Sequence, residues 1–313
     1  MDKLIVSTSP HIRHKVTTSS IMRDVIIALL PASVAAVIFF GFKAALMIAV
    51  CVGTAVGAEF LFNLICKKKQ TVGDLSAIVT GLLLALNLSA NITVWQCAVG
   101  SVFAIIVVKC LFGGIGHNFA NPAITARIFL LVAFSGSVAG GAFANFAEIT
   151  SSATPLAVMQ AGGTNLPPLL HMFLGNIGGA IGETSALAIL IGFAYLLIRR
   201  VIGWQTPVIF VGTVFVLSLI LKQDITYAVY QVLGGGLLLG AVFMATDYST
   251  TPINKMGKIV FAFGCGIFTV LIRNFGVYPE GVSYAILFMN ILSPYIERLT
   301  QKRPFGGIKN AKK

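Results

Sequence analysis

Long apolar runs separated by short polar connections make up nearly the whole of this chain. A transmembrane helix needs about 20 mostly apolar residues. Runs near that length predict ten helices, at roughly 24–42, 44–66, 74–91, 94–112, 123–143, 171–198, 204–221, 227–245, 256–273 and 281–297. The third run is short and closes on Asn87-Leu88-Ser89-Ala90-Asn91, which predicts a kinked or partial helix. The sixth is long and begins Gly-rich, so its first turns are expected to be irregular where protein covers them. The expected fold class is an all-α polytopic membrane protein of about ten helices. It forms one membrane domain over 1–313, with an N-terminal segment 1–23, a long loop at 144–170 and a tail at 298–313.

Composition agrees with that pattern. Only 10% of the residues are charged and 57% are hydrophobic, whereas a soluble domain carries about 25% charged residues. A water-facing surface cannot be coated with so little charge. The net charge of +12 does not suggest nucleic acid, because the basic residues sit in short connections and at both ends, beside apolar runs. With the N-terminus inside, seventeen of the 22 Lys and Arg residues fall on inner segments, Lys109 and Arg127 flank the inner edge, and only Lys43, Lys222 and Arg273 fall outside. That imbalance predicts both termini in the cytoplasm and the 144–170 loop outside. No basic stretch with a short apolar core and cleavage site opens the chain, so residue 1 onward is expected to be retained.

Two halves share short matches. Gly81-Leu82-Leu83-Leu84 recurs as Gly236-Leu237-Leu238-Leu239, and Asn118-Phe119 as Asn274-Phe275. Five predicted helices separate the copies, an odd number, which implies two inverted five-helix repeats with sites near their interface. Pairs spaced as small-xxx-small (Gly53/Gly57, Gly175/Gly179, Gly178/Gly182 and Gly236/Gly240) predict close helix contacts.

Chemistry has few places to reside. The inner connection Gly113-Gly114-Ile115-Gly116-His117-Asn118-Phe119-Ala120-Asn121-Pro122-Ala123 carries two amides suited to a ligand edge of alternating carbonyl and N–H groups, such as a flavin. Its simpler reading is a turn with Asn121 as N-cap and Pro122 at the first helical position. Glu59 and Glu183 lie within predicted helices and Asp247 near an inner helix end, which makes them ion-path candidates. The five cysteines have no metal or disulfide spacing. His117 and His171 are expected on opposite sides, which argues against a shared haem. Ser151-Ser152-Ala153-Thr154-Pro155-Leu156, in the long outer loop, reads by residue type as a capped turn.

The chain resembles the NqrB/RnfD family, the large flavin-carrying membrane subunits of Rnf and Na⁺-NQR respiratory complexes, and most nearly the RnfD members. The likeness covers nearly the whole chain. It rests on Thr80-Gly81-Leu82-Leu83-Leu84-Ala85-Leu86, on Gly116 to Ala123, on Ser151 to Leu156 and on Met244-Ala245-Thr246-Asp247. In that family a Thr in a Ser/Gly-Ala-Thr context carries FMN through a phosphoester bond, and the matching residue is Thr154, expected to be exposed. Ser152 stands where a glycine often precedes Ala-Thr, and Leu156 where some members carry a hydroxyl. The resemblance also implies a second, non-covalent flavin, riboflavin, for which Asn118 and Asn121 are the candidate contacts. It implies electron relay inside an ion-translocating ferredoxin:NAD⁺ oxidoreductase of the prokaryotic cytoplasmic membrane, coupled to Na⁺ or H⁺, with no turnover by the chain alone. The implied partners are the other Rnf subunits, among them an extracytoplasmic FMN subunit and iron–sulfur membrane subunits, together with a flavin transferase and the lipid bilayer. The alternative is a flavin-free secondary transporter or channel built on inverted repeats, with Glu59 and Glu183 on its path.

Overall fold

The computed structural model describes residues 16–138, 141–145, 148–152, 154–163, 166–276 and 278–301, with side chains left aside over 141–152. Most of the N-terminal segment, the end of the tail and Ala153 of the threonine motif therefore lie outside the described residues.

A helix or broken helical unit stands at each of the ten expected positions. The first two join as α1 (Thr18–Ile65), whose helical geometry fails at Gly41, where φ is 65° and ψ −150°. A straight helix of that length would span about 72 Å at 1.5 Å per residue. Yet the Ser19 hydroxyl donates to the Gly73 carbonyl at 3.0 Å. The few residues between Ile65 and Gly73 cannot bridge such a gap, so the chain reverses at Gly41 and α1 is a helical hairpin. The end carrying Ser19 and Gly73 is called the inner end below, following the charge distribution.

The expected partial third helix is α2 (Ser76–Leu86), about 16 Å long by helical rise. It stops inside the bundle, and α3 (Val94–Cys110) starts afresh, with Phe103–Cys110 wound as a π-helix. α4 (Pro122–Ala133) is shorter than the predicted 123–143. The small residues after it break the helix into one turn, α5 (Ser135–Val138), and then the antiparallel hairpin β1 (Gly141–Asn145) and β2 (Glu148–Ser152), the one departure from an all-helical chain among the described residues. α6 (Pro155–Gln160) follows. The sixth run opens irregularly, as expected. α7 (Leu169–Leu174) ends at left-handed Gly175, and the helix resumes only as α8 (Ala186–Ile198).

Non-helical backbone at membrane depth is tolerated only where protein satisfies it. Here the two broken runs satisfy each other. Gly182 N–H donates to the Leu86 carbonyl at 2.8 Å and Ile181 N–H to the Leu88 carbonyl at 3.0 Å, and Ser89 bridges Ala180.

The second half contains α9 (Gln205–Lys222), α10 (Ile225–Leu233), α11 (Leu237–Met244), α12 (Lys255–Phe275) and α13 (Val282–Thr300). α10 and α11 are bent by 62° at Gly234-Gly235-Gly236. Both halves therefore carry an interrupted helix, although the break lies just before the repeated Gly-Leu-Leu-Leu in the second half and just after it, past Leu86, in the first. By length and composition, three described helices can cross a membrane, or four with the bent pair counted as one span. Large apolar side chains such as Phe42, Ile65, Ile198 and Leu299 are exposed around the bundle, as a lipid-facing surface requires. The glycine spacings meet mixed outcomes. A side chain at Gly182 or Gly240 would strike Leu86 or Val282, whereas Gly53 and Gly57 have open space and make no close contact within this chain.

Candidate functional site

At the inner end a cleft opens between α1, α2, α3, α8 and α11. Asn118, Asn121 and Asp247 all line it, so three of the sequence candidates converge. Lys109 and Ser76 complete the polar wall, and Val79, Leu83, Leu196 and Phe243 give it apolar faces. Left-handed Gly113, Gly114 and Gly116 fold the 111–121 connection back on itself.

The two asparagines differ in what they can offer. Asn121 Oδ1 accepts from the N–H groups of Ala123 (3.0 Å) and Ile124 (3.4 Å), with Pro122 next in the first turn. It is the N-cap that the simpler reading expected. With the Asn290 side-chain amide turned so that its oxygen faces Asn121, the Asn121 N–H donates to it at 3.1 Å and the amide nitrogen donates to the Thr250 carbonyl at 3.2 Å. Asn118 Oδ1, by contrast, is buried with no hydrogen-bond partner. Buried polar atoms are nearly always bonded, so an orphaned acceptor in the wall of a cleft fits a ligand that brings an N–H.

Lys109, expected to flank the inner edge, is buried in the cleft wall at 2% exposure. Its ammonium donates to Glu59 at 2.8 Å and to the Ser76 hydroxyl at 2.5 Å. The other Glu59 oxygen accepts from Thr71 at 2.5 Å, and the Ser76 hydroxyl donates to Asp74 at 2.5 Å. Both oxygens of Glu59 are therefore engaged. Asp247 accepts from the Ser249 N–H (3.1 Å), the Ser249 hydroxyl (2.9 Å) and the Thr250 hydroxyl (3.3 Å). Burial lifts its carboxyl above the ordinary value against the pull of those bonds.

Glu183 belongs to a different cluster, beyond the far end of α2. Its Oε1 accepts from Arg127 at 2.9 Å, while its Oε2 is buried without a partner. Arg127 also donates to Asn87 (3.0 Å), Ser283 (3.1 Å) and Glu280. Arg273 donates to the Gln231 side chain (3.0 Å) and the carbonyls of Gly234 (3.2 Å) and Glu280 (2.9 Å). Two arginines thus face two glutamates around the α10–α11 break, and the charges balance. Arg127, expected at the inner edge, is instead an interior residue. The sequence signal for it was available, since an ionised group inside an apolar run marks a buried partner.

Thr154 is buried at 8% exposure rather than exposed. Its hydroxyl accepts from Ala157 N–H at 3.2 Å and caps α6, because the first N–H groups of a helix have no partner of their own. Buried Leu156 packs on the α10–α11 break, and Gln160 donates to the Gly276 carbonyl at 2.7 Å. α6 therefore sits at the C-terminal end of α12, whose first turns pack on Pro252 near the inner cleft. Thr154 thus lies toward the outer end of the bundle and the cleft at the inner end.

The match to known proteins is broad. A model of the NQR2, RnfD, RnfE family covers residues 5–306. The chain belongs to this family. A relative in Acetobacterium woodii, the D subunit of a Na(+)-translocating ferredoxin:NAD(+) oxidoreductase complex, is 47% identical over 97% of this chain and 95% of its own length. The D subunit of the proton-translocating ferredoxin:NAD(+) oxidoreductase complex of Clostridium ljungdahlii is 38% identical over 96% of each chain. The B subunit of the Na(+)-translocating NADH-quinone reductase of Chromohalobacter salexigens is also 38% identical, over 70% of this chain and 56% of that one. As a member of the NQR2, RnfD, RnfE family, the chain is a multi-pass membrane protein.

Proposed function

We propose that the chain is the D subunit of an Rnf-type ion-translocating ferredoxin:NAD⁺ oxidoreductase, relaying electrons through FMN bonded to Thr154 and a second, non-covalent flavin in the inner cleft. Its partners are then the other Rnf subunits, including an extracytoplasmic FMN subunit and iron–sulfur membrane subunits, and a flavin transferase modifies it. Its place is the prokaryotic cytoplasmic membrane, with both termini cytoplasmic and Thr154 on the outer side. The relatives that cover the full chain carry names of this kind of complex, which leaves the transporter alternative without support.

The observation that carries the reading is the orphaned Asn118 Oδ1 in the wall of the inner cleft. Bound flavins would supply one-electron redox chemistry. Asn118 would accept the ring N–H, and the Asn121 side-chain amide keeps donors free. Lys109 presents a cation to the same cleft, in surroundings where low dielectric strengthens its effect. Thr154 holds its oxygen fixed at the start of α6.

Glu183 is the leading candidate for the coupled ion, Na⁺ or H⁺, because one of its oxygens is unsatisfied at the helix break. Glu59, with both oxygens held, is the weaker one.

Flavin counting tests the cleft. In purified complex, Asn118→Leu is expected to weaken retention of one acid-extractable flavin about tenfold, as loss of a hydrogen bond of about 1–1.5 kcal/mol implies, and to leave the covalent flavin intact. Unchanged extractable flavin would remove Asn118 from the site.

A further inference from the structure

A groove of about 490 Å³ lies between α8, α9, α10 and α11, with apolar walls that include Phe193 on α8, Val208, Gly212 and Phe215 on α9, Val232 on α10 and Val242 on α11. We propose that this groove holds one acyl chain of an anionic phospholipid of the inner leaflet, whose phosphate sits at Arg199 and Arg200. The site goes beyond the electron-relay reading and does not depend on either flavin.

The groove has a cause in the sequence. α10 and α11 bend by 62° at three successive glycines, so the two segments cannot both lie flush along the single helix α9. Val208, Gly212 and Phe215 fall at i, i+4 and i+7 and share one face of α9. A side-chain carbon on Gly212 would meet nothing within 4 Å, whereas one on Gly266 of α12 would strike Thr213 of the same α9. Gly266 brings helices together; Gly212 keeps a space open. Close-packed interiors leave few voids larger than a water molecule, and an apolar space of this size beside lipid is a place for lipid.

Depth and charge select the occupant. From Gln205 to Phe215 is about 15 Å by helical rise, half of a hydrocarbon core of about 30 Å. The lining on α9 stops at Phe215 although the helix continues to Lys222. The acyl chain of one leaflet matches that depth, whereas a partner's transmembrane helix would cross both halves. The 199–204 connection joins the inner ends of α8 and α9, two walls of the groove, and carries Arg199, Arg200 and Trp204. No acidic residue occurs between Glu183 and Asp224. Arg199 donates from one nitrogen to Asp24 at 3.3 Å and stays about half exposed, with further donors to offer. Arg200 is exposed and forms no salt bridge among the described residues. Exposed Trp204 suits the headgroup level. Topology alone accounts for basic residues at this end. It does not account for an apolar slot one leaflet deep between the very helices they join, and basic sites between helices on the cytoplasmic side are the chemistry of anionic headgroup recognition.

Lipid counting tests the site. Phospholipid retained by the purified, detergent-washed complex would be extracted and quantified by mass spectrometry for wild type, Gly212→Ala, Gly212→Leu and Arg200→Gln. Wild type and Gly212→Ala are expected to hold one anionic phospholipid per complex more than Gly212→Leu, whose side chain enters the groove. Arg200→Gln is expected to need about fivefold more phosphatidylglycerol to refill the site after washing, the contribution of one basic residue near an anionic surface. Equal anionic lipid in wild type and Gly212→Leu overturns the proposal, and so does release of a partner subunit by Gly212→Leu with lipid unchanged, which would make the groove a helix-docking face. Loss of zwitterionic in place of anionic lipid overturns the headgroup assignment. If Gly212→Leu fails to assemble, photolabelling of the wild-type complex decides, with a diazirine on the acyl chain of phosphatidylglycerol or of phosphatidylcholine. Labelling of residues 207–215 is expected to be several-fold stronger from phosphatidylglycerol, and equal labelling from the two overturns the proposal.

Discussion

Lys109 and Glu59 keep one another charged in the interior, and neither has an alternative partner of opposite charge among the described salt bridges. Removing one member of a buried pair costs about 3–5 kcal/mol, because the other charge stays desolvated, whereas replacing both with uncharged groups is often close to neutral. Lys109→Met is therefore expected to reduce assembled complex sharply, and Lys109→Met with Glu59→Gln to restore most of it, as read by thermal stability of the purified complex. A double variant no better than the single one would show that the pair is not the unit that matters. Glu59 was legible in the sequence as an acid inside an apolar run. Its partner was not. Lys109 sits near the end of its run, where a lysine ordinarily reaches back to the interface, and only the packing of α2 and α3 onto α1 turns it inward. Thr154 shows the same division. Thr-Pro marked a helix cap, and the structure has one, but burial of the hydroxyl depends on Leu156 meeting the distant α10–α11 break.

At the scale of elements, interruption matters more than length. Asn87 to Asn91 announced the end of α2, and the Gly-rich start of the sixth run announced its irregular opening. The bend at Gly234-Gly235-Gly236 was read only as part of a continuous helix, although three glycines in succession are poor helix formers. The hairpin at 141–152 was missed because its first strand continues an apolar run and offers no polar boundary. The break has a testable consequence. A Cβ on Gly236 would run into Glu183 Oε1 and come within 3.4 Å of Arg127, so Gly236→Ala must displace the carboxylate. Gly236→Ala and Glu183→Gln are both expected to lower ion transport into proteoliposomes more than tenfold while both flavins are retained. Wild-type transport in Glu183→Gln would take Glu183 off the ion path, and loss of flavin would mark the cluster as structural.

Across the whole molecule, the described residues form one bundle with chemistry at each end. The inner cleft gathers Asn118, Asn121, Asp247 and Lys109, and the outer cluster gathers Arg127, Arg273, Glu183 and Glu280. α2 lies between them, anchored through Ser76 at one end and Asn87 at the other. The fold class and most spans follow from hydropathy alone, because lipid imposes one rule on every helix. The pairing of the broken segments does not follow, since it is set by contacts between residues some 95 positions apart, such as Leu86 and Gly182. The three acids singled out from the sequence do not share one cluster. Glu59 and Asp247 stand near the inner cleft and Glu183 in the outer cluster.

The most direct test is in-gel flavin fluorescence of the denatured polypeptide, expressed with its flavin transferase, beside a Thr154→Val variant. Attachment at Thr154 predicts a fluorescent band in the wild type and none in the variant, with the extractable flavin unchanged. A band that persists in Thr154→Val, or no band in the wild type, would contradict it.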